Sequence, residues 1–261
     1  MADAIPIAVM IDPAARSTAY EVLTAPVTVL VGHFGAGKSE IAVNLAFGWQ
    51  ARGQQVSVID LDLVKPYFRS RLLRDDMQER GITLVVPKDD RFYADLPMLV
   101  PEARGAVGQA LATNRRIIMD VGGSDVGARV LGALPGLSDP ALTDVLFVVN
   151  GNRPFAESPA AVIGMLRDIE RVSKLRVTGL VANTHLMEET VQETVAAGLT
   201  LADQVAAETR IPIRFAAILE RLAEGAEVLN HRGLPWLPIT RLITPPLELR
   251  PHGMRRRSSV V

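Results

Sequence analysis

The chain contains no cysteine. That excludes disulfides, thiolate zinc sites and cysteine-held iron–sulfur clusters, and it suits a reducing compartment. It also lacks an excess of either charge. The 28 Lys and Arg residues stand against 29 Asp and Glu, a net charge of −1. Such a balance gives no global signal for nucleic acid or an anionic membrane as partner. No apolar run is long enough for a membrane span, and Met1–Met10 carries Asp3 where a secretion signal would be basic. A cytoplasmic location is the expectation. There is no internal repeat and no low-complexity block. His185, His231 and His252 show no metal-ligand spacing.

What is present is a soluble α/β pattern. At 261 residues and 48% hydrophobic content the chain can bury a sizeable core as one large domain. Short apolar runs at Val27–Val31, Val56–Asp60, Ile82–Val86, Arg116–Asp120, Asp144–Val149, Val177–Ala182 and Ile211–Phe215 read as strands. Helical stretches near Pro66–Glu79, Pro101–Thr113, Val126–Leu131, Pro159–Val172, Glu188–Glu208 and Leu219–Glu224 separate the later ones. Buried strands alternating with helices predict a doubly wound, mostly parallel sheet flanked by helices. The expected organisation is an arm or edge hairpin over 1–24, a nucleotide-binding domain over 25–233, and an irregular, Pro-rich, basic tail over 234–261. The tail ends in Arg255, Arg256 and Arg257 and reads as solvated.

Between the first strand and the helix after it lies Gly32-His33-Phe34-Gly35-Ala36-Gly37-Lys38-Ser39, then Glu40. This fits G-x-x-x-x-G-K-[ST], the phosphate-binding P-loop. Its glycines let backbone amides close on phosphates, and the helix N-terminus adds its dipole. Lys38 would reach the β- and γ-phosphates, and the Ser39 hydroxyl would hold Mg2+. The next strand ends Asp60-Leu61-Asp62, and alternation puts both carboxylates on one face. A later strand ends in Asp120, and Val121-Gly122-Gly123 come next. An apolar strand ending in Asp is the usual second magnesium element beside a P-loop, and the two glycines would let the backbone approach the γ-phosphate.

These motifs resemble the signal-recognition/MinD/BioD (SIMIBI) class of P-loop NTPases, on the MinD/ParA/CobQ-like branch, over roughly residues 25–225. The resemblance implies that Asp60 lies near Mg2+, that Asp62 positions or activates the attacking water, and that Asp120 is the magnesium-linked carboxylate of the later strand. It implies that Asn183 bonds the adenine edge. Guanine-specific relatives carry N-K-x-D instead, and Asn183-Thr184-His185-Leu186 does not, which favours ATP. His33 departs from the branch, which places there a lysine that crosses a dimer to the partner's phosphates. Any nucleotide-dependent homodimer is therefore expected to be weaker, or to use Arg69 or Arg71. Either arginine could instead belong to a solvated basic face.

Two further stretches stand out. Asn150-Gly151-Asn152-Arg153-Pro154-Phe155 reads as a loop at the ligand edge of the sheet, with a partner or nucleotide role as the sharper alternative. Tyr93 to Leu99 reads as core or as a docking surface. The resulting expectation is a slow, Mg-dependent ATPase that acts as a switch on an unidentified protein partner. The alternatives are an ATP-dependent synthetase of the dethiobiotin or cobyrinate-amidation type, or a GTP-dependent metallochaperone. The absence of Cys and of N-K-x-D counts against the last.

Overall fold

The computed structural model describes residues 18–61, 74–86, 96–113, 115–123, 125–134, 136–223 and 233–243. Asp62, Arg69, Arg71, Tyr93, His231, His252 and the Arg255–Arg257 run fall outside these residues. The elements are α1 (Ala19–Val22), β1 (Val27–Gly32), α2 (Lys38–Ala51), β2 (Val56–Asp60), α3 (Arg74–Glu79), β3 (Thr83–Val85), α4 (Leu96–Thr113), β4 (Arg116–Asp120) and α5 (Asp125–Gly132). They continue with β5 (Thr143–Val149), α6 (Pro159–Ser173), β6 (Gly179–Ala182), α7 (Gln192–Thr209), β7 (Ile213–Leu219), α8 (Glu220–Ala223) and β8 (Trp236–Ile239).

The eight described strands form one sheet in the order β3-β2-β4-β1-β5-β6-β7-β8. Every pairing is parallel. The chain builds outward from β1 through β2 and β3, inserts β4 beside β1, then crosses to β5 and continues to β8. In open α/β sheets, ligands bind at the carboxyl ends of the strands where the order reverses, and here that place is the end of β1.

Both faces of the sheet are covered, so the central strands β1 and β5 are buried throughout. On one face Val29, Val31, Met119 and Phe147 pack with Val107, Leu131, Val162 and Leu166 of α4, α5 and α6. On the other, Leu30, Ile118, Leu146 and Val148 pack against Ile41, Leu45 and Phe47 of α2. Helix α2 is apolar nearly all round because it is covered on its outer side too. Ala19 and Leu23 pack there, and the Tyr20 ring meets Trp49 edge-on at 5.9 Å. A Cβ on Gly48 would lie 1.8 Å from the Tyr20 hydroxyl oxygen, so that position admits no side chain in this arrangement.

Within the 1–24 arm, Ala19–Val22 form α1, and Ala19 and Leu23 complete the cover of α2. Two expectations are corrected here. The 234–261 segment does not begin as an irregular tail. Trp236–Ile239 is an eighth strand paired with β7. Its prolines suggested a surface loop, but a strand at the sheet edge tolerates a missing N–H. Leu237 and Ile239 alternate inward while Trp236 and Pro238 stay half-exposed. The predicted helix over Glu188–Glu208 divides into a 3-10 turn at Met187–Glu189 and α7. Buried Thr190 closes that turn by donating to the Met187 carbonyl at 2.6 Å and accepting the Leu186 amide at 2.9 Å.

Candidate functional site

The P-loop is built as its spacing predicts. Gly32 ends β1 at φ 141°, and a Cβ there would lie 2.7 Å from the Val148 carbonyl oxygen of the neighbouring strand. Gly37 caps α2 in the left-handed region, with no side-chain cap bond. The first amides of any helix lack intrahelical acceptors, so this end is suited to bind an anion. Lys38 is buried and folds back along the loop. Its Nζ donates to the Gly32 carbonyl at 3.0 Å and the His33 carbonyl at 2.8 Å. Ser39 comes next on the first turn of α2, half-buried. The loop closes further through the Ala36 amide, which donates to the His33 carbonyl at 3.1 Å. The His33 ring Nδ1 lies 2.7 Å from the Phe34 carbonyl, which accepts only, so that nitrogen carries the hydrogen.

Asp60 and Asp120 stand side by side on paired strands. They are partners in the β2–β4 register, so both side chains project to the same face. That is the face α2 covers, since Val58 and Ile118, two residues earlier on each strand, pack there. Both carboxylates are buried. They stand at the carboxyl ends of β2 and β4, next to the helix that carries Ser39. Among the described residues no three His, Asp or Glu side chains gather to hold a metal by themselves. Magnesium bound with a nucleotide takes one or two carboxylates and completes its octahedron with phosphates and waters, so this donor set fits it.

Asn183 lies just beyond β6 and reaches the P-loop. Its Nδ2 donates to the Ala36 carbonyl at 2.7 Å, and a Cβ on Gly37 would lie 2.3 Å from it. Asn183 thus props the loop and also lines the cavity beside it. Glu40 has a different partner from its neighbours. Its carboxylate accepts the Leu242 amide at 2.6 Å and the Ile243 amide at 3.3 Å, and burial pushes its pKa up to about 7. Four residues on, Asn44 exchanges bonds of 3.0 Å with the amide and the carbonyl of Thr240. Helix α2 is thus stitched to the segment after β8.

Glu40, Asn183 and part of the P-loop line a cavity of about 310 Å³ that opens along the carboxyl edge of β6, β7 and β8. Lys38, Ser39 and Asn183 form its polar floor; Ile218, Leu219, Ile239 and Ile243 form an apolar wall. Its size falls in the usual range for small-molecule sites. Sequence reasoning missed this wall, although its position at strand carboxyl ends could have signalled it. It also missed how Arg153 and His185 converge on the loop. Burial first, then the charges of Arg153 and Arg241, lowers the His185 pKa to about 4, so its ring is neutral near pH 7. The unfolded chain then binds more protons than the folded one between about pH 4 and 6.5, and stability falls as pH drops through that window. Compared with His185→Leu, the wild type should lose about 3 kcal/mol more between pH 7 and pH 4. Urea unfolding of both chains across that range measures it.

The Gly122–Gly123 loop touches the P-loop from the β4 side. A Cβ on Gly123 would lie 2.5 Å from the Phe34 amide nitrogen and 2.9 Å from its Cα. Gly123→Ala should therefore push the loop out of shape and weaken nucleotide binding roughly tenfold, since over-packing costs about 1–3 kcal/mol. Calorimetry beside a thermal melt separates that loss from unfolding.

No family model and no curated protein matches the chain. Solved structures do. FtsY from Mycoplasma mycoides is 19% identical, with a TM-score of 0.51, over 74% of this chain and 61% of that one. Chloroplast FtsY from Physcomitrella patens is 20% identical, with a TM-score of 0.50, over 78% of this chain and 63% of that one. The fold is that of the P-loop NTPases. This chain spans less than two thirds of either FtsY chain. Within the P-loop NTPase fold the glycine loop, its lysine and the two strand-end carboxylates occupy one edge of the sheet, and the apolar wall adjoins the loop and its lysine. Among the described residues no helix is long and apolar enough to cross a membrane.

Proposed function

We propose that this chain binds Mg·ATP, hydrolyses it slowly, and uses the bound nucleotide as a switch on a partner protein. The observation that carries the reading is the register pairing of Asp60 with Asp120 beside a complete P-loop. Lys38 and the loop amides stabilise charge on the phosphates. Ser39, Asp60 and Asp120 hold Mg2+, which supplies charge neutralisation along the phosphate chain. Asp62 orients the attacking water.

Adenine is favoured by Asn183 and by the residue three positions beyond it. That residue is Leu186, an exposed apolar side chain where a guanine-reading carboxylate would have to stand. Coupling to a partner is favoured by the rim of the cavity. Phe34 and Met187 line its mouth, and exposed Phe155 and Leu186 adjoin two other lining residues, Arg153 and His185. An apolar rim around a charged ligand suits a surface that a second copy or another protein covers once the nucleotide is in place.

Competitive calorimetry with Mg·ATP and Mg·GTP tests the base assignment. ATP should bind at least tenfold tighter; equal or tighter GTP binding contradicts the adenine reading. Light scattering of Asp62→Ala protein with and without Mg·ATP tests the switch. A nucleotide-dependent rise in mass supports a dimer across the rim. An unchanged mass over a concentration series removes the dimer form of the switch.

A further inference from the structure

We propose that Arg153 is a second phosphate-binding cation, which reaches the nucleotide's phosphate chain within the same chain, over Gly35 of the P-loop. The inference rests on the nucleotide-binding reading above and extends it to a residue outside the P-loop motif.

The loop after β5 is a fixed platform for this side chain. Asn150 is buried, and its side-chain oxygen accepts the amides of Asn152 at 3.1 Å and His185 at 3.4 Å. The Gly151 amide donates to the Thr184 hydroxyl at 3.1 Å. The Ala156 amide donates to the Arg153 carbonyl at 3.0 Å. A Cβ on Gly151 would lie 2.8 Å from Leu201, so the loop packs flat on α7. Backbone held this way aims a side chain reproducibly.

From that platform Arg153 runs over the phosphate loop. The position a Cβ would take on Gly35 is 3.3 Å from its Nε and 3.4 Å from its Cζ. The guanidinium lines the same cavity as Lys38 and Ser39. Its Nε is buried and has no hydrogen-bond partner among the described residues, and no carboxylate among them pairs with it. A simple solvated rim arginine would keep that nitrogen in water. Burial without a counter-charge also lowers its pKa from the ordinary value. A partly desolvated cation without an anion carries a cost, and a guanidinium fork matches phosphate oxygens two at a time. The other groups nearby do not compete for this role. His185 is neutral, and Arg241 forms an ion pair with Glu188. Arg153 thus brings a second positive charge to the P-loop, from a strand end far from the motif in sequence.

The test is calorimetric titration of Mg·ATP and Mg·GTP into the wild type, Arg153→Met, Arg153→Gln and Arg153→Lys, at low and high salt. Thermal melts without nucleotide report folding, and either neutral variant suffices should the other not fold. For the nucleotide the wild type binds tighter, the neutral variants should bind roughly ten- to a hundredfold more weakly, as expected for a lost charge-assisted contact. Their affinity should also depend less on salt than the wild type's. Arg153→Lys should recover part of the loss, because it keeps the charge without the fork. A merely structural arginine would change neither the salt dependence nor the lysine rescue. Wild-type affinity and salt dependence in the folded neutral variants would overturn the proposal. Failure of the underlying reading gives a different result: the wild type binds neither nucleotide, and the Arg153 proposal falls with it.

Discussion

Lys38→Ala protein is expected to remain folded and to bind Mg·ATP at least a hundredfold more weakly than the wild type. The lysine closes the P-loop over its own carbonyls, with Nζ at 3.0 Å from Gly32 O and 2.8 Å from His33 O. Its ammonium is held at the centre of the cradle, with little solvent around it. A hydrogen bond to a charged partner contributes about 1.5–3 kcal/mol, and the ammonium can make more than one to a phosphate chain. Two such contacts account for a hundredfold or more. Truncation leaves the sheet untouched, because the packing of α2 depends on Ile41, Leu45 and Phe47 on one side and Tyr20 and Trp49 on the other. Circular dichroism and calorimetry on the same sample measure both parts. Unchanged affinity in a folded variant would remove the P-loop from the account.

The second large effect is a division of labour between the carboxylates. Asp60→Ala should damage Mg-dependent binding and turnover together, and Asp120→Ala should do the same, because the two stand in register at the proposed Mg2+ site. Asp62→Ala should slow turnover roughly a hundredfold while affinity changes little, since a group that orients water acts mainly in the transition state. Single-turnover hydrolysis with saturating nucleotide, set against equilibrium binding, separates the two patterns. Loss of binding with retained turnover in Asp62→Ala would show that the roles are assigned wrongly.

Much of this site was legible because its chemistry is local. A P-loop needs glycines, a lysine and a hydroxyl at fixed spacing, and β1, Gly32 to Ser39 and α2 are consecutive in the chain. The strands ending in Asp60 and Asp120 were legible from apolar runs that stop at a carboxylate, and both were observed over the expected residues. What escaped was non-local or masked by composition. Arg153 meets Gly35 only because β5 lies beside β1 in the sheet. The apolar wall needs β7 and β8 side by side, and β8 was hidden by prolines that an edge strand accommodates. Glu40 belongs to the P-loop in sequence but holds the Leu242 and Ile243 amides in the fold, a pairing no spacing rule reveals.

Hydrogen exchange with and without saturating Mg·ATP tests the central claim most directly, because it reports every part of the site in one measurement. The account predicts slower amide exchange in residues 32–39, in 121–123, in the 150–156 loop and around 183–185, with Lys38→Ala protein showing none of these changes. Wild-type protein that exchanges identically in all four segments at millimolar Mg·ATP would contradict it.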